Sequence, residues 1–548
     1  MAVHIAKATD HAAAAFTLQW QIVSGHASMV TTTEARTRTL HALHAMQSEL
    51  DALWTARETH CHVKVPEGFA FYALYPEQYC AAATQWLVDH ATASPRRAVV
   101  VGIRSIGTTL SAVVAAMLRS SGWHVHRLTV RPQGHPYARQ VSFPSDELRD
   151  ACYGLVVDEG PGLSGSSMAA VAAVLEENGL DHQRITFFPS HAGDIGMAAP
   201  EAVRRCWSRT PRYAIPLENL RWSGRSLPQS LAAMPPGLLH IRDRIESMED
   251  ISGGRWRTIV YTDPRDWPAV CVPFERLKYR CRTQSGQAVL WKFAGLTGAP
   301  LDGQGGAEAG MAQILARSQR GWTPAPLGTA YGFLVTPWIV GTPLRRTDAN
   351  DAVLSHLGAY LVDAAGPPLR KLERQISLAR LREMLHCNTQ EAFGAAAAAR
   401  ANEWSDAAAA QAPSAPHPTY GDGRMAPHKW LRTPSGRLIK VDCWGHDADH
   451  TIIGRQSLTW DIAGTLVEWD LNSARERLFL AAMRRAGGWL PSATDLTFHR
   501  LAYAAFRLGQ CALCAAMCTN DLPEQARLIR ARDTYQNHLT CLLNHRPT

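Results

Sequence analysis

Up to about residue 60, apolar side chains recur near i, i+3, i+4 and i+7, as in TEARTRTLHALHAMQSELDAL, which predicts a helical N-terminal extension. From 61 to 215 the period switches repeatedly. PEQYCAAATQWLVDHA reads as a helix, RRAVVVGI as a strand, LSAVVAAMLRSSG as a helix and HVHRLTV as a strand. GLVVDEG then reads as a strand, followed by a helix to Gly179 and the strand RITFFPS. Strands alternating with helices predict a parallel sheet with right-handed crossovers, whose ligands sit beyond the carboxyl ends of the strands. Residues 216–250 are Pro/Gly/Ser-rich and then charged, the pattern of a linker.

From residue 251 the pattern is that of a second domain. LKYRCRTQSGQAVLWKF predicts two strands joined by a Ser-Gly turn, and GFLVTPWIVGTPL a strand running into a hinge. After about residue 345 helical periodicity dominates to residue 548. The Ala-rich stretch GAAAAARANEWSDAAAAQAPSAPHP reads as a helix ending in a Pro-containing connector. The expected fold class is therefore α/β: a parallel-sheet domain, then an α+β domain with a lobe at about 251–345 and a helical lobe at 346–548.

Composition changes this picture little. A length of 548 residues exceeds one core, and 46% hydrophobic with 19% charged residues is ordinary globular material. The net charge of +8, spread over such a length, suits anionic small molecules; a nucleic-acid partner is not expected. No apolar run nears the roughly 20 residues that span a bilayer, so a membrane partner is not expected either. No signal-peptide layout opens the chain, and the 12 cysteines are scattered, which fits reduced thiols in a cytoplasmic, enzyme-like protein. Cys511, Cys514 and Cys518 at helical spacing read as packed core rather than a zinc site, and His60, Cys61 and His62 as structural.

The candidate chemistry begins at LVVDEGPGLSGSSMAAVAAVL, where a buried strand meets two acids, a Gly/Ser turn and a helix. Such a turn aims backbone N–H groups and a positive helix start at an anion. This stretch resembles the phosphoribosyltransferases of type I fold, in which a hydrophobic strand and two acids precede a Thr/Ser-Gly phosphate loop. The resemblance implies that Asp158 and Glu159 hold the ribose hydroxyls of phosphoribosyl pyrophosphate. Gly162, Ser164, Gly165, Ser166 and Ser167 would then bind its 5′-phosphate. In GIRSIGTT, Arg104, Ser105, Gly107 and Thr108 become pyrophosphate contacts, and the polar stretch 131–150 a mobile hood. One departure is the spacing. Gly160, Pro161, Gly162 and Leu163 put four residues, rather than three, between the acids and the Ser-Gly step.

Beyond residue 255, Lys292 late in a strand, Glu308 in a helix, Asp422 in YGDG, Asp442 in LIKVDCWGHD and Asp461 in TWDIAGTLVEW occur in an order that resembles the aminoglycoside-phosphotransferase and homoserine-kinase branch of the protein-kinase-like fold. The resemblance implies that Lys292 neutralises ATP phosphates, steadied by Glu308, while Asp422 orients the acceptor hydroxyl. Asp442 and His428 become ligands of Mg²⁺, and Asp461 a brace for the catalytic loop. The family's Asn five residues after the catalytic Asp is replaced by Pro427, and no clear Gly-rich nucleotide loop precedes Lys292. Together the two resemblances imply a bacterial two-part enzyme. One half would move phosphoribosyl to a nucleobase- or nucleoside-like acceptor, and an ATP-dependent kinase-like half would act on a small molecule. A nucleotide-binding regulator with a pseudokinase is the alternative, and a homodimer is left open.

Overall fold

The computed structural model describes residues 2–24, 32–54, 66–143, 148, 150–162, 164–196, 199–234, 239–241, 243–296, 306–368, 371–410, 418–419, 421–444, 446, 456–518 and 520–545. His60, Cys61, His62 and Leu163 lie outside them. The chain divides into two compact units, Met1–Ala233 and Met234–Thr548.

The first unit starts with two long helices, α1 (Ala2–Val23) and α2 (Thr32–Trp54), followed by the short α3 (Glu67–Ala70) and α4 (Pro76–Asp89). Then come β1 (Arg97–Ile103), α5 (Gly107–Ser120), β2 (His124–Val130), β3 (Tyr153–Val157), α6 (Ser166–Glu177), β4 (Ile185–Phe188), α7 (Glu201–Arg209) and α8 (Leu227–Ala232). The four strands form one parallel sheet in the order β2-β1-β3-β4. The apolar runs of β1 and β3 are buried along almost their whole length, as strands of a parallel sheet covered on both faces must be. The N-terminal extension is tied to this sheet: Arg127 on β2, its side chain 3% exposed, donates to Asp10 of α1 at 2.6 Å.

The second unit carries a five-stranded antiparallel sheet of β5 (Ile245–Asp250), β6 (Lys278–Thr283), β7 (Ala288–Phe293), β8 (Gly328–Ala330) and β9 (Phe333–Pro337), in the order β5-β6-β7-β9-β8. β5 falls inside the stretch expected to be linker, because its residues pair with β6. α9 (Arg257–Val260) and α10 (Gly306–Gln319) lie between these strands in sequence. The short pairs β10 (Thr342–Pro343) with β13 (Trp430–Arg432), β11 (Gly366–Pro368) with β12 (Pro418–Thr419), and β13 with β14 (Leu438–Lys440) follow.

The remaining helices are α11 (Asp351–Ala364), α12 (Lys371–Phe393), α13 (Ala395–Ala410), α14 (Thr459–Glu468), α15 (Ser473–Arg485), α16 (Ala493–Met517) and α17 (Leu522–Leu543). Every residue of α14 is buried. Its Ile462 and Leu466 join α11 and α15 in one apolar cluster, while Trp460 and Val467 join α12, α13, α16 and α17 in another. A helix buried all round is a fixed post, and Asp461 stands on it.

The cysteines depart from expectation. Cys271 and Cys514 form a disulfide, with Cα atoms 5.6 Å apart, so Cys514 is neither a free thiol nor simple packing. Residues 243 apart in sequence are joined, a pairing that local spacing in CALCAAMC could not reveal. Cys511 is buried and free.

Candidate functional site

In the second unit the turn Gly421-Asp422-Gly423 is built by one carboxylate. Asp461 accepts the backbone N–H groups of Gly421 (3.1 Å), Asp422 (3.1 Å) and Gly423 (2.8 Å). A Cβ on Gly421 would lie 1.9 Å from the Ala364 carbonyl oxygen, so only glycine allows this approach. The buried Arg317 donates to the carbonyls of Gly421 and Cys443, joining this turn to the segment that carries Asp442.

Asp422 itself is sealed. Its residue is 2% exposed, and its carboxylate accepts from Tyr360 at 2.5 Å and pairs with Lys440 at 3.0 Å. The role in acceptor activation expected for Asp422 meets a carboxylate that faces protein, not a cavity, because Lys440 and Tyr360 occupy its oxygens. Asp442 faces the other way. One of its oxygens pairs with Lys292 of β7 and the other with Lys429 at 2.5 Å. His446 Nε2 lies 3.4 Å from it. The expected partner of Lys292 was Glu308, which lies in the first turn of α10; its side chain is outside the described residues.

The charges act on one another. Burial opposes ionisation of Asp442, but Lys292, Lys429 and His446 outweigh it and hold the carboxyl well below its usual range. Burial pulls Lys292 down to about 8, helped by Arg276, Lys278 and Lys429 and opposed by Asp442. His428 is depressed well below the usual imidazole value, first by burial and then by Lys429 and Arg507, so at neutral pH it is uncharged. Asp461 is pushed up to about 7 by burial and by Asp422.

Two cavities adjoin this cluster. A cleft of about 110 Å³ is lined by Lys278, Leu290, Lys292, Thr336, Trp338 and Asp442, among others. A larger cavity of about 410 Å³ is lined by Tyr261, Arg345, Arg424, Glu468, Arg507 and Tyr535, among others. Trp256, His428 and Lys429 line both. The indole and imidazole are stacked, centroids 6.2 Å apart and planes 21° from parallel.

As a metal site the donor set is narrow. Among the described residues no group of three His, Cys, Asp or Glu is placed to hold an ion. Magnesium takes oxygen ligands, often one or two carboxylates with the rest from phosphates and water. Asp442 fits the part of that single carboxylate; the nitrogen of His428 does not.

In the first unit both Gly/Ser loops stand at the carboxyl ends of neighbouring strands, β1 and β3. Their roots touch: a Cβ on Gly107 would lie 2.7 Å from the Val157 carbonyl oxygen, and one on Gly102 2.2 Å from that of Gly107. Gly107 thus answers to packing whether or not it meets a ligand. Arg104 is exposed, yet its guanidinium folds back onto Thr129 of β2 at 2.9 Å. Ser105 is exposed and Thr108 half-buried.

In the second loop the chain turns at Gly162 and Gly165, both at φ +59°. Gly165 is buried, and a Cβ there would meet Ile195 at 2.8 Å. Ser166 is also buried and donates to the Pro136 carbonyl at 2.6 Å, so its hydroxyl holds the segment expected as a hood. That segment closes on itself through Gln133 and Gln140, whose backbones exchange two hydrogen bonds of 2.9 and 3.0 Å. Gly162 is exposed, and Ser164 and Ser167 are half-buried. Asp158 is pushed up to about 7 by burial and by the charge of Glu159, against backbone N–H groups that favour the carboxylate. Its carbonyl accepts from Tyr79 at 2.7 Å.

Lys429, Lys440, Tyr360, Arg317 and His446 were not foreseen. The only sequence signal for them is the adjacency of Lys429 to His428 and the alternation Lys440-Val441-Asp442.

No family model matches the sequence, and no curated protein matches it. Solved structures similar to it include a choline kinase from Streptococcus pneumoniae, at 13% identity over 54% of this chain and 94% of that one, TM-score 0.35. A choline/ethanolamine kinase family protein from Mesorhizobium loti shows 16% identity over 53% of this chain and 98% of that one, TM-score 0.32. A macrolide 2′-phosphotransferase from Brachybacterium faecium shows 15% identity over 51% and 95%, TM-score 0.31. None of these is a phosphoribosyltransferase by name. Similarity this low leaves the functional reading to the geometry above.

Proposed function

We propose that the second unit is an ATP-dependent small-molecule phosphotransferase. The observation that carries this reading is the Lys292–Asp442–Lys429 cluster at the wall of a cleft, beside a Gly-Asp-Gly turn pinned by Asp461. Lys292, Lys278 and Lys429 offer positive charge to a triphosphate in that cleft. Asp442 is the residue that would hold magnesium, which would supply charge neutralisation to the phosphates. Asp461 fixes the backbone from which the acceptor side is built, and Trp256 and His428 stand where the two cavities meet. Phosphoryl transfer asks mainly for positioning and charge stabilisation, which this arrangement offers. Calorimetry with Mg-ATP tests it: micromolar-range binding is expected in the wild type and should be lost in Lys292→Met. Undiminished binding in that variant would move the nucleotide elsewhere.

The same proposal assigns phosphoribosyl transfer to the first unit. Two Gly/Ser loops at the ends of adjacent parallel strands, with an acid pair beside one of them, support it. Asp158 and Glu159 would hold the ribose hydroxyls, and Gly162, Ser164 and Ser167 the phosphate. Pyrophosphate release from phosphoribosyl pyrophosphate, tried with a panel of nucleobases, is the assay. The double variant Asp158→Asn with Glu159→Gln should lose at least 90% of that release, and wild-type release would refute the assignment.

The sealed Asp422 favours a second reading of the second unit, a nucleotide-binding regulator without turnover. ADP release in the presence of ATP and acceptor separates the two: binding with no release over hours supports the regulator.

A further inference from the structure

Three lysines line the smaller cleft of the second unit, Lys278, Lys292 and Lys429, and of these Lys429 alone also lines the larger cavity. Its main chain is fixed. The N–H donates to the Ala426 carbonyl at 3.0 Å, the carbonyl accepts from the Val441 N–H at 3.0 Å, and the fully buried Trp430 follows. Only the side chain is left to choose a direction.

In the free protein it points at Asp442. Lys429 pairs with one carboxylate oxygen at 2.5 Å and Lys292 with the other. Asp442 thus carries an ammonium on each oxygen, and to hold a metal ion it must first give one of them up. Burial pulls both Lys278 and Lys292 below the usual lysine value, and Lys429 is among the further causes. The third ammonium adds a repulsion that phosphate oxygens would relieve. Lys292, if released, would stay a wall of the cleft alone. Lys429, with 22% of its side chain exposed, would stand where the cleft and the larger cavity meet.

We propose that Lys429 is a catalytic residue: paired with Asp442 in the free protein, its ammonium turns to the phosphoryl group in transfer between the cleft and the larger cavity. The inference rests on the phosphotransferase reading of this unit. In that transfer the bond between the γ-phosphorus and the β,γ-bridging oxygen breaks, its electron pair staying with ADP. A bond from an acceptor hydroxyl oxygen to the same phosphorus forms, and the hydroxyl proton passes to water. Negative charge spread over the oxygens of the moving group is what a positioned cation stabilises. An ammonium on a flexible four-carbon stem suits a target that shifts from donor to acceptor, because its three donors rotate with it.

Calorimetry on the full chain with ADP and Mg²⁺, with and without fluoroaluminate, tests this, since fluoroaluminate takes the place of the phosphoryl group in transfer. Fluoroaluminate should tighten ADP binding to the wild type about tenfold or more. Lys429→Met should lose most of that gain, its affinity for ADP with fluoroaluminate falling much further than its affinity for ADP alone. Equal losses, or none, mark an ion pair that only shapes the site and overturn the inference. Absence of tightening in the wild type overturns it too, and in each case nucleotide binding stands. ADP that fails to bind the wild type at all overturns the phosphotransferase reading as well. Should circular dichroism show Lys429→Met misfolded, the wild type decides. Acetic anhydride, followed by peptide mass analysis, should modify Lys429 several times more slowly with ADP, Mg²⁺ and fluoroaluminate than with ADP and Mg²⁺ alone. Equal rates overturn the inference.

Discussion

Asp158 in the first unit and Asp442 in the second are both half-buried, and their surroundings drive them in opposite directions. Asp158 is raised to about 7, because burial and its neighbour Glu159 both disfavour the charge. Asp442 is held well below its usual range, because two lysines and a histidine outweigh the same burial. The difference teaches how each site came together. The groups around Asp158 are mostly its neighbours in sequence, a strand, an acid pair and a Gly/Ser turn. Lys292 lies 150 residues from Asp442, and only the fold makes them a pair. One site is a local motif; the other is a long-range assembly.

The largest effect should come from breaking the long-range assembly. Asp442→Asn leaves Lys292 and Lys429 facing each other without a carboxylate. The three side chains are half-buried, so the cooperative loss in urea unfolding of the full chain should sit at the low end of the about 3–5 kcal/mol that breaking a buried ion pair costs. Mg-ATP affinity should fall with it, whereas Glu159→Gln should leave both unchanged. An unaltered urea midpoint in Asp442→Asn would show that the cluster is not coupled to the fold.

Asp461→Asn should come next. The variant keeps one acceptor oxygen in place of a carboxylate that takes three backbone N–H groups. Hydrogen bonds to a charged group contribute about 1.5–3 kcal/mol each in net terms, and Asn retains part of them, so a loss of about 2–3 kcal/mol is expected. Hydrogen exchange should locate it at residues 421–424 and spare the loop 158–167. Protection unchanged at 421–424 would remove Asp461 as the brace.

A smaller effect is expected on the other side of the comparison. Ser166→Ala leaves the Pro136 carbonyl without its donor and should cost about 1–2 kcal/mol. Faster exchange at 133–140 than in the wild type is the readout. Equal exchange would mean that the segment is held by its own Gln133–Gln140 pairing alone.

These contrasts also explain what was legible in the sequence. The four strands of the parallel sheet and both Gly/Ser loops follow from period and composition, since each strand buries its own apolar run. Asp158 and Glu159 were singled out because their context is contiguous. Lys292 and Asp442 were singled out in order along the chain but not as partners of one another, because order along a chain does not fix distance. Lys440 was invisible for a stronger reason. A lysine is among the least expected residues at 0% exposure, and nothing local announces the Asp422 carboxylate that compensates it. The same carboxylate was expected to orient an acceptor hydroxyl and lies buried against Lys440 and Tyr360. β5 was read as linker because a polar edge strand, IESMED, lacks the apolar alternation that marks a strand. The Cys271–Cys514 disulfide could not be read at all, since only its second cysteine sits in a recognisable cluster.

The smallest effect separates the two carboxylates by sign. A carboxyl raised in the folded state binds its proton more tightly there than in the unfolded chain. Its contribution is fully present below the unfolded value of 3.8 and is lost as pH rises through about 7. Asp442, depressed in the folded state, does the reverse: its contribution is present above the unfolded value and is lost as pH falls through the depressed one. Between pH of about 4 and 7, then, protection of β3 should decline with rising pH, whereas Asp442 itself adds no slope in that window. Hydrogen exchange on the full chain, corrected for intrinsic rates, reads the slope. Asp158→Asn should flatten the β3 slope because the amide does not titrate. A slope that survives in that variant would assign the titration to Glu77 instead, since burial also raises Glu77 in the same unit.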